Sequence, residues 1–176
     1  MCELIAPING INCDEAGGVD TWYAYSLYDG TTGASNVDTL TIVDGEVTAL
    51  TLVALKYAYP INVEQETSSA TDTAVGERAN GSYAREQASV LMLHGNTKEM
   101  IVSIEQMCQG RTVLIAKLND GTYELFFSKY GAKLLDERAT GTAFEDMNGT
   151  TLNFAGKETY KAPKIDSAIV LALLEP

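Results

Sequence analysis

Basic residues are scarce in this chain: 12 Lys and Arg stand against 24 Asp and Glu, a formal net charge of −12. A protein that grips nucleic acid does so by displacing counterions with Lys and Arg, so that class is excluded as a principal activity. Histidine is rarer still, with His94 alone. Three cysteines, Cys2, Cys13 and Cys108, form no C-x-x-C pair and no Cys/His cluster. An odd count at wide spacing reads neither as a disulfide framework nor as a four-ligand zinc site. Apolar runs are short everywhere, well below the ~20 residues that span a bilayer as a helix. The opening Met1-Cys2-Glu3-Leu4-Ile5 has neither the basic start nor the long apolar stretch of a secretion signal. The expectation is a protein kept in a cytoplasm, with no membrane partner, no cofactor and no metal.

The acids are unevenly spread. Residues 1–60 carry −7, residues 61–110 carry −4 and residues 111–176 carry −1. In one domain this predicts an acidic face and a more neutral one, or simply a well-solvated exterior.

What the chain does have is turns. Gly17-Gly18, Asp29-Gly30, Asp44-Gly45, Asn80-Gly81, Asp120-Gly121 and Asn148-Gly149 punctuate runs rich in Val, Ile, Thr and Tyr. That is the pattern of repeated hairpins. Val19 to Tyr28 predicts a strand apolar on both faces. Residues 40–43 and 47–55 predict a hairpin about Asp44-Gly45. Residues 112–118 and 122–127 predict another about Asn119-Asp120-Gly121. Thr150 to Phe154 predicts a short strand, and Ser167 to Leu174 fits a strand or a helical turn. One helix stands out over 97–109: Asn96 is placed to cap it, with Glu99 three residues on. Met100, Ile101, Ile104, Met107 and Cys108 make one apolar stripe, and Gly110 stops it.

Residues 57–93 fit a self-sufficient core least well. Ile61 to Ala74 has an extended character with few large apolar side chains. Residues 76–81 then turn, and Ser82 to Leu93 becomes apolar only toward its end. This predicts a long hairpin, polar at its tip and anchored by Val90, Leu91 and Met92. A polar two-stranded ribbon is marginal alone in water. Its Ser and Thr content suits strand pairing better than disorder, so a hairpin arm over 61–83 that completes a neighbour's sheet edge is expected; a surface loop is the alternative.

Several features, in this order along the chain, are similar to the tube proteins of tailed-phage tails. Cys2 and Cys13 precede Gly17-Gly18 and the aromatic strand Trp22-Tyr23-Ala24-Tyr25. The outbound arm runs Val63-Glu64-Gln65-Glu66-Thr67-Ser68-Ser69 and returns through Gly81-Ser82-Tyr83 to Leu93. The helix, the Asn119-Asp120-Gly121 hairpin and the segment from Asn148 to Glu158 follow. The resemblance covers roughly residues 2–165, and the apolar segment 167–174 lies beyond it. It implies a mostly-β, α+β single domain over 1–176: an antiparallel β-sandwich or barrel with one flanking helix and a long β-hairpin arm. It further implies a structural virion protein, assembled in a bacterial cytoplasm into homo-oligomeric rings, usually of six. The rings stack into a tube that meets other tail proteins and passes DNA, or form a related baseplate or connector ring. Val63, Glu64, Gln65, Glu66, Thr67, Ser68 and Tyr83 would make the inter-subunit arm. Glu64, Glu66, Asp72 and Glu77, or acids within residues 14–46, are candidates for a lumen that repels the phosphate backbone.

Enzymatic readings find little purchase. Cys108 with His94 could pair as nucleophile and base, but no nucleophile motif surrounds either, and G-x-S-x-G is absent. Asp136-Glu137 and Glu145-Asp146 are neighbouring acids of an acidic chain, and no D-x-[DN]-x-[DN]-G calcium loop occurs. No catalytic residue is assigned. A second non-enzymatic reading is a β-sandwich that binds peptide or carbohydrate through exposed Trp22, Tyr23, Tyr25 and Tyr28.

Overall fold

The computed structural model describes residues 18–63, 66–77, 79, 81–95, 97–140 and 148–174. Eleven strands and two helices occur among them. In chain order these are β1 (Val19–Ser26), β2 (Val37–Val43), β3 (Glu46–Leu52), β4 (Tyr59–Ile61), β5 (Ser69–Val75), β6 (Ala84–His94) and α1 (Lys98–Gln109). Then come β7 (Thr112–Leu118), β8 (Tyr123–Phe126), β9 (Lys133–Ala139), β10 (Gly149–Glu158), β11 (Lys164–Ile165) and α2 (Ser167–Ala172). The strands form a seven-stranded sheet, β2-β3-β11-β8-β7-β1-β4, and a four-stranded sheet, β5-β6-β10-β9. The fold is mostly β, and neither sheet closes on itself among the described residues. Pairing is antiparallel except between β11 and β3.

Both predicted hairpins form. At Asp44-Gly45 both residues have positive φ (51° and 82°), as a two-residue turn matched to strand twist requires. The strand expected over 150–154 is longer, ten residues, and lies at the centre of the four-stranded sheet with β6 on one side and β9 on the other.

β1 is apolar on both faces because both faces are covered. Trp22 and Ala24 point between the sheets with Leu91, Leu114, Phe126, Leu152 and Phe154. Tyr25 and Leu27 point the other way, into a second core with Val47, Ile115, Leu125, Val170 and Leu173. The register slips by one residue between Val19 and Thr21, so Val19 joins the Trp22 side instead of sharing a face with Thr21 and Tyr23. The segment 167–174 is therefore largely helix α2 rather than strand, and it roofs the outer face of the seven-stranded sheet.

Thr97, not Asn96, caps α1: its Oγ1 accepts from the Met100 amide at 3.3 Å. Asn96 lies outside the described residues. Ile104 is buried, and Met100, Met107 and Cys108 pack on the first core, but Ile101 is about half exposed. The stripe is thus narrower than its spacing suggested.

Loop 127–131 ties the two sheets together. The Phe127 amide donates to Gln87 Oε1 on β6 at 2.7 Å. The Lys129 and Tyr130 amides both donate to Glu158 Oε1 on β10, each at 3.1 Å. The approach is close enough that a Cβ on Gly156 would sit 2.8 Å from the Phe127 ring, so only glycine fits there.

Candidate assembly surface

The predicted hairpin exists: β5 and β6 pair in continuous register from Ser69↔Val90 to Val75↔Ala84. It does not stand free. β6 also pairs with β10 from Arg85↔Glu158 to His94↔Gly149, so the ribbon is half of the protein's own four-stranded sheet. A two-stranded ribbon gains stability when a third strand and a core are added, and here the chain supplies both itself. The anchors differ from expectation in the same way. Leu91 is fully buried, whereas Val90 and Met92 alternate to the opposite, outer face.

The predicted arm residues fall into groups. Val63 packs partly buried against the first core. Ser68 Oγ accepts from Trp22 Nε1 at 3.0 Å, so it too serves the chain's own interior. Thr67 is half-buried beside it. Tyr83 is 62% exposed at the tip, its hydroxyl accepting from Arg85 at 3.3 Å. Glu64 and Gln65 lie outside the described residues.

Asp72 is not a free lumenal charge. Its Oδ1 meets Arg85 Nε at 2.8 Å and its Oδ2 accepts from the Ala162 amide at 2.8 Å, leaving the side chain 11% exposed. Arg85 also donates to the Asp72 carbonyl, so the pair locks β5 to β6. Glu66 and Glu77 are exposed just beyond the two ends of β5. Of the acids in residues 14–46, Asp20 is matched by Lys117 at 2.7 Å and Asp29 by Lys56 at 2.6 Å. Lys56 and the Thr31 and Thr32 groups hold the Asp29 carboxyl well below the ordinary range.

The edges of the two sheets are not alike. β4 is three residues long and contains Pro60. β2 is irregular in register at two places against β3. β9 carries Lys133, Asp136, Glu137 and Arg138 in seven residues. Each of these is a device that discourages another strand from adding. β5, Ser-Ala-Thr-Asp-Thr-Ala-Val, has the fewest: no proline, no lysine and no bulge, and its single charge, the inward Asp72, is neutralised by Arg85. Sequence reasoning found the segment by its polarity; its exceptional character appears only beside the other three edges.

The enzymatic candidates are not brought together. His94 is exposed at the end of β6 on the outer face, whereas Cys108 packs on the inner side against Asp136 of β9, Sγ to Oδ1 3.4 Å. Burial and Asp136 push the Cys108 thiol up, the opposite of what a thiolate nucleophile needs. Asp136 and Glu137 point to opposite faces of β9 and cannot share an ion; Glu145-Asp146 lie outside the described residues. No metal-holding group of His, Cys, Asp and Glu occurs among the described residues.

The aromatic binding reading also changes. Trp22 is 0% and Tyr25 3% exposed, so neither can meet a ligand. Burial pushes the Tyr25 hydroxyl strongly up. Exposed aromatics instead gather at an open groove of about 580 Å³, where Tyr28 and Tyr59 face Leu55 and the Lys56–Asp29 pair. Comparisons of the chain with protein-family models, with curated proteins and with solved structures found no match.

Proposed function

We propose that this chain is a structural subunit that assembles with copies of itself through the β5 edge, forming rings that stack into a tube of the phage-tail kind. The observation that carries the reading is that β5 is the least protected of the four described edges, regular and without proline, lysine or bulge. Long unprotected edges are otherwise selected against, because they template aggregation. A head-to-tail contact seats β5 of one copy against a different surface of the next, so that the four-stranded sheet continues past the boundary of its own chain. Such a contact closes into a ring if the rotation between copies permits. Closure leaves no β5 edge exposed. The wider seven-stranded layer, with α2 on its back, takes the larger radius, and the open face of the four-stranded sheet turns to the lumen. DNA then passes through without specific contacts, as expected of a chain with this charge.

The test is negative-stain electron microscopy over a range of concentrations, on the natural chain and on Thr71→Lys/Thr73→Lys. Both threonines are exposed, so the substitutions leave the monomer folded while giving β5 the protection the other edges have. Rings or tubes from the natural chain and monomers from the variant are expected. Rings from a folded variant would show that β5 is not the joining edge; monomers from both at every concentration would end the assembly reading. The Tyr28–Tyr59 groove would then make a ligand-binding module the better account.

A further inference from the structure

We infer that the wall this assembly presents to its lumen is charge-compensated rather than acidic, with acids confined to its margins. The inference rests on the reading above, and its starting point is strand register. Buried Leu91, Leu93, Leu134, Leu152 and Phe154 fix which residues face the core. Strict alternation then fixes which face away. The pairings lay these out in rows across the sheet. One row is Ser69, Val90, Asn153 and Leu135; the next is Thr71, Ala88, Ala155 and Lys133. On one side follow Thr73, Glu86 and Lys157, and on the other Met92, Thr151 and Glu137.

Two bases, Lys133 and Lys157, thus balance two acids, Glu86 and Glu137. Glu86 and Lys157 are cross-strand partners, 3.1 Å apart. Apart from Lys133 at the β9 edge, the two middle rows carry no charge: Ser69, Thr71, Ala88, Asn153 and Ala155 with Val90 and Leu135. Asp72, which sequence alone nominated for the lumen, alternates inward and is spent on Arg85 and Ala162. Glu66 and Glu77 lie beyond opposite ends of β5, at the margins of the face. Among the other described acids, Asp20, Asp29, Asp38, Asp44 and Glu46 lie on β1, β2, β3 and the loops between them, in the seven-stranded layer. A polyanion passing such a wall meets neither an excess of bases to hold it nor a field of acids to repel it; the low friction comes from side chains that are mostly uncharged.

Ala88→Cys tests this. Ala88 lies at the centre of the open face, between Thr71 and Ala155. The thiol would be reacted with an anionic and a cationic methanethiosulfonate, on dispersed and on assembled protein. The unsubstituted chain supplies the background of its own cysteines, and microscopy of the same samples scores assembly. The expected result is slower reaction on assembly with both reagents and a change of less than about threefold in their rate ratio. A shift of about tenfold or more toward the cationic reagent, as an acidic lumen produces, overturns the inference while leaving the assembly standing. An unchanged absolute rate in rings also overturns it, because the face would then lie outside the tube. Absence of rings from the natural chain fells the assembly reading and this one with it. Ala155→Cys, one strand away on the same row, replaces Ala88→Cys if that variant fails to assemble.

Discussion

Among the described residues, the seven-stranded sheet has a packed core on each face, whereas the four-stranded sheet has one on its inner face only. On the first, α2 and the β2–β3 hairpin bury Tyr25, Leu27, Val113 and Ile115 from behind. On the second, the residues facing away from Leu91 and Leu152 are short, polar or singly apolar, with Val90 37% and Leu135 64% exposed. A similar contrast holds at the edges, since β2 and β4 are irregular or short and β5 is regular and free of proline, lysine and bulge, although β9 carries charges. One layer is covered on both faces by the described residues. The other has a bare outer face and a regular edge, and this difference supports the proposed assembly more than any single residue does.

The contrast can be broken most forcefully at α2. Leu173 is 4% exposed against the back of the seven-stranded sheet. Leu173→Ala should cost about 2–4 kcal/mol in urea unfolding, the range for deleting a buried isobutyl group and leaving a cavity. A loss below ~0.5 kcal/mol would mean that the helix is not a structural cover, and the sheets would then differ less than they appear to.

Glu158 sharpens the comparison at the tie between the layers. Its carboxylate is 2% exposed and accepts the Lys129 and Tyr130 amides through Oε1, while Oε2 has no partner. Burial raises its pKa against the opposing pull of those two amides and of Lys129. A carboxyl raised on folding binds its proton more tightly folded than unfolded, so its contribution to stability falls as pH rises through the interval between the two values. Asp20, Asp29 and Asp120 are lowered by their partners and contribute in the other direction, their stabilisation being lost as pH falls. The Glu158 component is therefore read as a difference. Glu158→Gln keeps an oxygen for the two amides, and its advantage over the natural chain should grow as pH rises from about 4 into the neutral range. An unchanged difference across that range would mean that the carboxylate is solvated after all.

Much of the fold was legible before any coordinates. Asp44-Gly45 and Asn119-Asp120-Gly121 announce their hairpins because turn chemistry is local. The helix shows because its apolar residues recur on one face. What was not legible depends on pairing between distant residues. Nothing within 61–93 says that β10, more than fifty residues later, will pair along β6 and turn an arm into half a sheet. Asp72 reads as one more surface acid until Arg85 and Ala162 are placed beside it. Trp22 and Tyr25 look like a binding surface because an alternating aromatic strand is the same string whether it is covered on one face, both or neither. The candidate edge was found for a partly wrong reason: its polarity suggested a ribbon lacking a core, whereas the structure gives it a core and leaves β5 at the sheet edge among the described strands.

The smallest expected effect bears most directly on the open face. Val90 and Leu91 are neighbours on one strand, facing opposite ways, the first 37% exposed and the second fully buried. Leu91→Ala serves as the reference, at about 2–5 kcal/mol. Val90→Ala should change monomer stability by no more than ~0.5 kcal/mol, as for a surface position with nothing packed upon it. Rings should still form, because the substitution leaves the β5 edge untouched and adds no charge to the wall. A cost near that of Leu91→Ala, measured on dispersed protein, would mean that something packs over the outer face already in the single chain. That would remove the asymmetry between the sheets and, with it, the reason for assigning this face to a lumen.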